Sequence, residues 1–249
     1  MKLGAAIFLH SIGMVLRNYI AVLRIFGGPT VIIGAAMFAL FRFLNTTDPS
    51  SAGGGSVALF VAAILGIIVV AWSGVMWVVV AWHRYILLEE YPEGFLPELH
   101  KSQMWAYFLN SLKIALIVAG LSIPLGLLFV GTAQAIEFSI LALVGVAVYL
   151  AISVLVLRFS LILPAAAIGE EISVGESLDH TEGRSFSLLV LVICLIGLQF
   201  SGDYLISLLA GAQIIQEVLA TVFSIFIVVL QISVLTTLYG HFVQGRPVT

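Results

Sequence analysis

Residues 57 to 82 read VALFVAAILGIIVVAWSGVMWVVVAW, 26 positions without a charge. A helix that is apolar all round for that length is buried in protein or in lipid, and about 20 such residues are enough to cross hydrocarbon. Five further stretches qualify, at about 24–44, 107–130, 138–157, 186–208 and 218–240. Charged residues make up 9% of the chain and hydrophobic ones 61%, against about 25% charged in soluble domains. In lipid the backbone must satisfy its own hydrogen bonds, as helices or as a closed barrel. Barrel strands alternate apolar and polar positions, whereas these runs do not alternate. The sequence therefore predicts an all-α fold: a polytopic integral membrane bundle of six transmembrane helices, one domain over residues 1–249.

Basic residues near span ends set the orientation. With the N-terminus inside, Lys2, Arg17, Arg24, Arg84, Lys101, Lys113, Arg158, Arg184 and Arg246 fall on or near the cytoplasmic side, and only Arg42 falls outside. This predicts N-in, C-in threading, with cytoplasmic loops at 83–106 and 158–184. Residues 5–23 carry Ile7, Met14, Val15 and Tyr19 on one side and His10, Arg17 and Asn18 on another, the pattern of an interfacial amphipathic helix. No small-residue cleavage site follows it, so the sequence does not read as a removable signal peptide. Gly27-Gly28-Pro29 is expected to break that helix and turn the chain into the membrane. NTTDPSSAGGGS, residues 45–56, reads as a flexible linker. Residues 203–217 read either as an extension of the fifth span, which is favoured, or as an outer interfacial helix.

The second span runs into His83-Arg84, resumes as Tyr85-Ile86-Leu87-Leu88, and meets the acidic pair Glu89-Glu90. The fourth repeats the arrangement, with Arg158, an apolar run to Gly169, and then Glu170-Glu171. A planar guanidinium can donate two parallel bonds to a phosphate or carboxylate. His83, Arg84, Arg158, Glu170 and Glu171 are therefore candidate contacts for an anionic headgroup or a protein partner. The competing explanation is that the arginines are topological anchors, snorkelling or pairing with the nearby acids. At mid-membrane Gln231 is the strongest polar candidate, with Ser73, Ser122 and Ser153 as smaller ones; such residues mark transport paths or hold helices together.

No catalytic residue, metal site or cofactor is expected. The five histidines show no metal-ligand spacing, the lone Cys194 lies in an apolar run, and no phosphate-cradling glycine loop appears. Ten scattered basic residues and a net charge of −3 speak against nucleic acid.

From Arg158 the stretch RFSLILPAAAIGEEISVGESLDHTEGRSFSLL resembles an element of the bacterial membrane domain associated with glycerophosphodiester phosphodiesterases and of related six-span proteins of unknown role. Arg158, Pro164, Glu170 or Glu171, Ser177, Thr181 and Gly183 fall in that order, while Phe186 stands near where a tryptophan usually follows. The resemblance implies a six-span layout in a bacterial cytoplasmic membrane and no catalytic residue. With the residue pattern, it leads to the expectation of a non-enzymatic membrane protein. The first reading is an accessory subunit whose inner face binds membrane lipids or another membrane protein complex. A small-solute or lipid transporter is the alternative, and an enzyme acting on membrane lipids comes third.

Overall fold

The computed structural model describes residues 2–46, 55–92, 94, 96–132, 137–209 and 211–248; most of the expected linker, residues 47–54, lies outside the described residues. The described residues form nine helices and no strand: α1 (Lys2–Arg17), α2 (Tyr19–Thr46), α3 (Gly55–Leu88), α4 (Lys101–Thr132), α5 (Phe138–Phe159), α6 (Ile162–Ile168), α7 (Val174–His180), α8 (Ser185–Ser207) and α9 (Gln213–Phe242). Six of them, α2, α3, α4, α5, α8 and α9, are long and apolar enough to cross a membrane. The chain is a multi-pass helical bundle.

Neighbours run α3–α4–α5–α8–α9 and back to α3, a closed ring, with α2 packed on α3 and α1 across α8 and α9. The residues that close the core lie at the end where α3 and α9 finish and α4 and α8 begin, which is the basic end. There Trp82, His83, Leu161, Leu188, Leu230, Leu238 and Tyr239 have almost no exposure. Towards the far end the same helices expose Leu65, Val69, Leu127, Val130, Leu143, Phe200 and Val222, as lipid-facing surfaces should.

The helix break near the N-terminus falls at Asn18, where Gly27-Gly28-Pro29 was expected to supply it. Pro29 sits inside an uninterrupted α2; a missing N–H costs one bond, which neighbouring packing can absorb in a spanning helix. At Asn18 the side-chain amide donates to the Met14 carbonyl at 2.8 Å, and its oxygen accepts from the Tyr85 hydroxyl at 3.0 Å. The backbone bonds one turn back continue on either side, Asn18 N–H to Met14 at 3.2 Å and Val22 N–H to Asn18 at 2.9 Å, so the interruption is confined to one residue.

Helix α1 buries Gly4, Ile7, Ser11, Met14 and Val15, a stripe spaced by three and four residues. Its other face exposes Leu9 and Leu16. The expected amphipathic helix is thus two-sided, gripping α8 and α9 with one apolar edge and leaving another uncovered. Tyr19, expected on the buried side, belongs to α2 and is exposed.

Residues 203–207 continue the fifth span, as the favoured reading had it, and 208–217 follow neither reading. Helix α8 stops at Ser207, turns through Leu208 and Leu209, and α9 begins at Gln213 as one continuous 30-residue helix. Asp203 is spent on Gln199, whose amide donates to it at 2.8 Å.

Candidate functional site

The basic end is held by a ladder of hydroxyls on α9. Ser233, Thr236 and Thr237 are buried, and each donates to a carbonyl one turn back, at 2.8–2.9 Å. Their oxygens are left to accept. Trp82 Nε1 donates to Ser233 at 3.0 Å, His83 Nδ1 lies 2.9 Å from Thr236 Oγ1, and the Ser11 hydroxyl lies 3.0 Å from Thr237 Oγ1. With the Thr236 hydroxyl donating to Ile232, the tautomer of His83 that matches is the one with its hydrogen on Nδ1. Its Nε2 is then a buried acceptor with no partner among the described residues. The ring stacks on Tyr107, centroids 5.7 Å apart.

Arg84 turns the other way. Helix α3 ends at Leu88, and Glu89 takes a left-handed backbone (φ 56°) that brings Glu90 back to the guanidinium at 2.6 Å. Arg84 also reaches the Ala167 carbonyl at 3.4 Å, which ties α3 to α6. The adjacent histidine His100 places Nε2 3.3 Å from Glu90 Oε1 and 4.0 Å from Glu98. Glu90, Glu98 and His100 thus offer ligand atoms within 4.8 Å of one another, but the Arg84 guanidinium already supplies the positive charge there.

Arg158 is the hub of the second turn. Its Nε donates to Thr181 Oγ1 at 3.0 Å and its Nη2 to the Leu178 carbonyl at 2.9 Å, while Ser177 donates back to the Arg158 carbonyl. Between them α6 is buried from Ile162 to Ala167. It ends in a Schellman motif: Gly169 (φ 85°) donates to Ala166, and Glu170 N–H to Ala165 at 2.9 Å. Helix α7 starts with a capping box between Ser173 and Glu176. The Ser173 backbone N–H holds the exposed Glu176 carboxyl below the usual carboxylate range. The Glu170 carboxylate accepts from the Tyr239 hydroxyl, and Glu171 is exposed.

Several residues of this turn thereby acquire structural work. Arg158, Ser177 and Thr181 bond one another, Pro164 lies in buried α6, and Gly183 takes a positive φ of 67°. Replacing Arg158 with Lys should separate charge from geometry, because a point ammonium cannot reach both acceptors along a fixed fork. Each lost bond to a charged donor is worth about 1.5–3 kcal/mol. Amide hydrogen exchange across 174–184 should therefore accelerate at least about tenfold, equivalent to about 1.4 kcal/mol.

The two arginines do not converge on one pocket: Arg84 is engaged by Glu90 and the Ala167 carbonyl, Arg158 by Thr181 and the Leu178 carbonyl. The polar residues of the spans do converge. A cavity of about 1000 Å³ lies between α4, α5, α8 and α9, with Ser160 and Leu163 towards its basic end. Gln231, Ser122 and Ser153 line it, joined by Ser111, Tyr149 and Gln199, which the sequence did not single out. Ser111 and Ser153 each donate to a carbonyl of their own helix. Gln231 lines the cavity as an exposed residue, and its amide has no hydrogen-bond partner among the described residues. Ser73 lies elsewhere, in a groove between α3 and α4. The remaining cavity walls are Ile, Leu, Val, Ala and Phe. Apolar walls with a few polar groups, at this size, are the usual make-up of a small-molecule site.

Comparison with protein-family models, with curated proteins and with solved structures finds no match for this chain.

Proposed function

We propose that this chain is a non-enzymatic multi-pass protein of a bacterial cytoplasmic membrane that binds an amphipathic, lipid-like molecule in the cavity between α4, α5, α8 and α9. The carrying observation is the gathering of Gln231, Ser122 and Ser153 from three different spans onto that one apolar space. A free amide facing hydrocarbon favours a ligand that can hydrogen-bond to it and fill the rest with an apolar body. The orientation we propose puts the basic end in the cytoplasm, supported by the distribution of Lys and Arg.

A fluorescent undecanoic acid titrated into the detergent-solubilised protein tests the reading. Saturable one-to-one binding is the expected result. Ser153→Trp should abolish it by occupying the space, and Gln231→Leu should weaken it about tenfold, or about 1.4 kcal/mol. Undiminished binding to Ser153→Trp would place the probe elsewhere and end the proposal.

One observation favours the accessory-subunit reading. The end of α3 and the segment after it expose Leu88, Tyr91, Leu96 and Leu99, apolar surface of the kind that marks contact sites. A protein partner retained through mild solubilisation and lost in Leu96→Asp/Leu99→Asp would support it. The second apolar run, 161–167, offers no such surface because it is core.

A further inference from the structure

Helices α3 and α4 diverge from the basic end and leave between them a groove of about 480 Å³. Its α3 wall is Trp72, Ser73 and Met76; its α4 wall is Lys101, Trp105 and Phe108, one helical face at spacings of four and three. The aromatic rings brace one another: Trp105 stacks on Phe108 with centroids 5.4 Å apart, and Trp72 meets Phe108 edge-on at 5.9 Å. Trp72 and Trp105 nonetheless remain 50% and 62% exposed. This is a rigid apolar slot open to the surrounding membrane.

Lys101 closes the end of that slot nearest the loop. It is the first residue of α4, just after Pro97, whose carbonyl accepts from Trp77 Nε1 at 3.2 Å. No carboxylate pairs with it among the described residues; the nearby ion pairs are those of Arg84 and His100. An unpaired ammonium at the margin of hydrocarbon, beside the positive end of a helix dipole, calls for a counter-charge that arrives with an apolar tail. We propose that the α3–α4 groove seats one anionic phospholipid, its acyl chain along Trp72, Met76, Trp105 and Phe108 and its phosphate on Lys101. The proposal is independent of the cavity between α4, α5, α8 and α9. It also moves headgroup recognition from Arg84 and Arg158, which have internal partners, to a cation that has none.

The two tryptophans make the site self-reporting. The full chain is reconstituted in vesicles of phosphatidylcholine containing either brominated phosphatidylglycerol or brominated phosphatidylcholine, and tryptophan quenching is titrated against mole fraction. One basic residue near an anionic surface is worth about fivefold in partitioning, so phosphatidylglycerol should quench about fivefold more effectively per molecule. Lys101→Gln should bring that ratio to one, and Lys113→Gln, twelve residues further along α4, should leave it unchanged. In Trp72→Phe/Trp105→Phe the lipid-selective quenching should vanish, leaving Trp77 and Trp82. Millimolar inorganic phosphate should not compete, because it lacks the tail. A wild-type ratio of one, a ratio that survives Lys101→Gln, or selective quenching that persists without Trp72 and Trp105 would each overturn the proposal. Competition by free phosphate would overturn the lipid as occupant.

Discussion

Alanine at position 4 is expected to lift α1 off the bundle. A Cβ there would stand 2.0 Å from the Ser187 carbonyl oxygen and 3.0 Å from its carbon. Both are backbone atoms at the start of α8, so no rotamer change relieves the clash; α1 must move. It takes Ile7, Ser11, Met14 and Val15 out of the core and breaks the Ser11–Thr237 contact. The expected cost is about 3 kcal/mol, the upper part of the usual overpacking range. That corresponds to roughly 10 °C in Tm for a chain of this size. A differential scan in detergent measures the loss, and faster hydrogen exchange over residues 4–15 localises it. An unchanged Tm with α1 still protected would show that the packing of α1 on α8 is not tight in solution.

Trp82→Ala is expected to be at least as damaging. The indole is fully buried, edge-on to Phe26 of α2 at 5.9 Å, beside Tyr85, and bonded to Ser233 of α9. One side chain thus joins three spans. Large aromatic-to-alanine changes in packed cores cost about 3–5 kcal/mol, so the variant should be recovered mainly as aggregate. Trp82→Phe isolates the polar part. Ser233 still donates to Val229, so only the indole bond is lost, at about 1 kcal/mol. Trp72→Ala is the control for residue type, since that indole is half exposed and its removal should be nearly neutral. Size-exclusion profiles and Tm values of the three variants order them; a Trp82→Ala protein as stable as Trp72→Ala would show that the basic end is not the core.

The six apolar runs could be read from the sequence because hydrocarbon requires contiguity: each must be long and uninterrupted whatever it packs against. The ends of the helices could not. Helix α3 continues from 82 to Leu88, and α4 starts at Lys101, not at 107, because Leu87 and Tyr107 are buried against protein and no longer need the bilayer. The break at Asn18 was equally hidden. The Asn18 side chain there accepts from Tyr85, 67 residues away in sequence.

The site shows the same division. Gln231 stood out as a polar residue within an apolar run, and it does face the cavity. Its companions Gln199 and Tyr149 did not stand out, because spans apolar on every side carry little information about which face turns inward. That rotation is set by tertiary packing. Arg84 and Arg158 were conspicuous by type and depth, but the sequence alone does not show that a left-handed Glu89 returns Glu90 to the first, or that α7 folds over the second.

Ser11, Trp82 and His83 all find their partners on α9, 226, 151 and 153 residues away in sequence. Until α9 docks, the Trp82 indole and the His83 imidazole lack these partners, whereas the Ser11 hydroxyl can still donate to the Ile7 carbonyl of its own helix. The basic end therefore closes only when segments far apart in the chain have met, which makes its assembly a late, non-local step of folding.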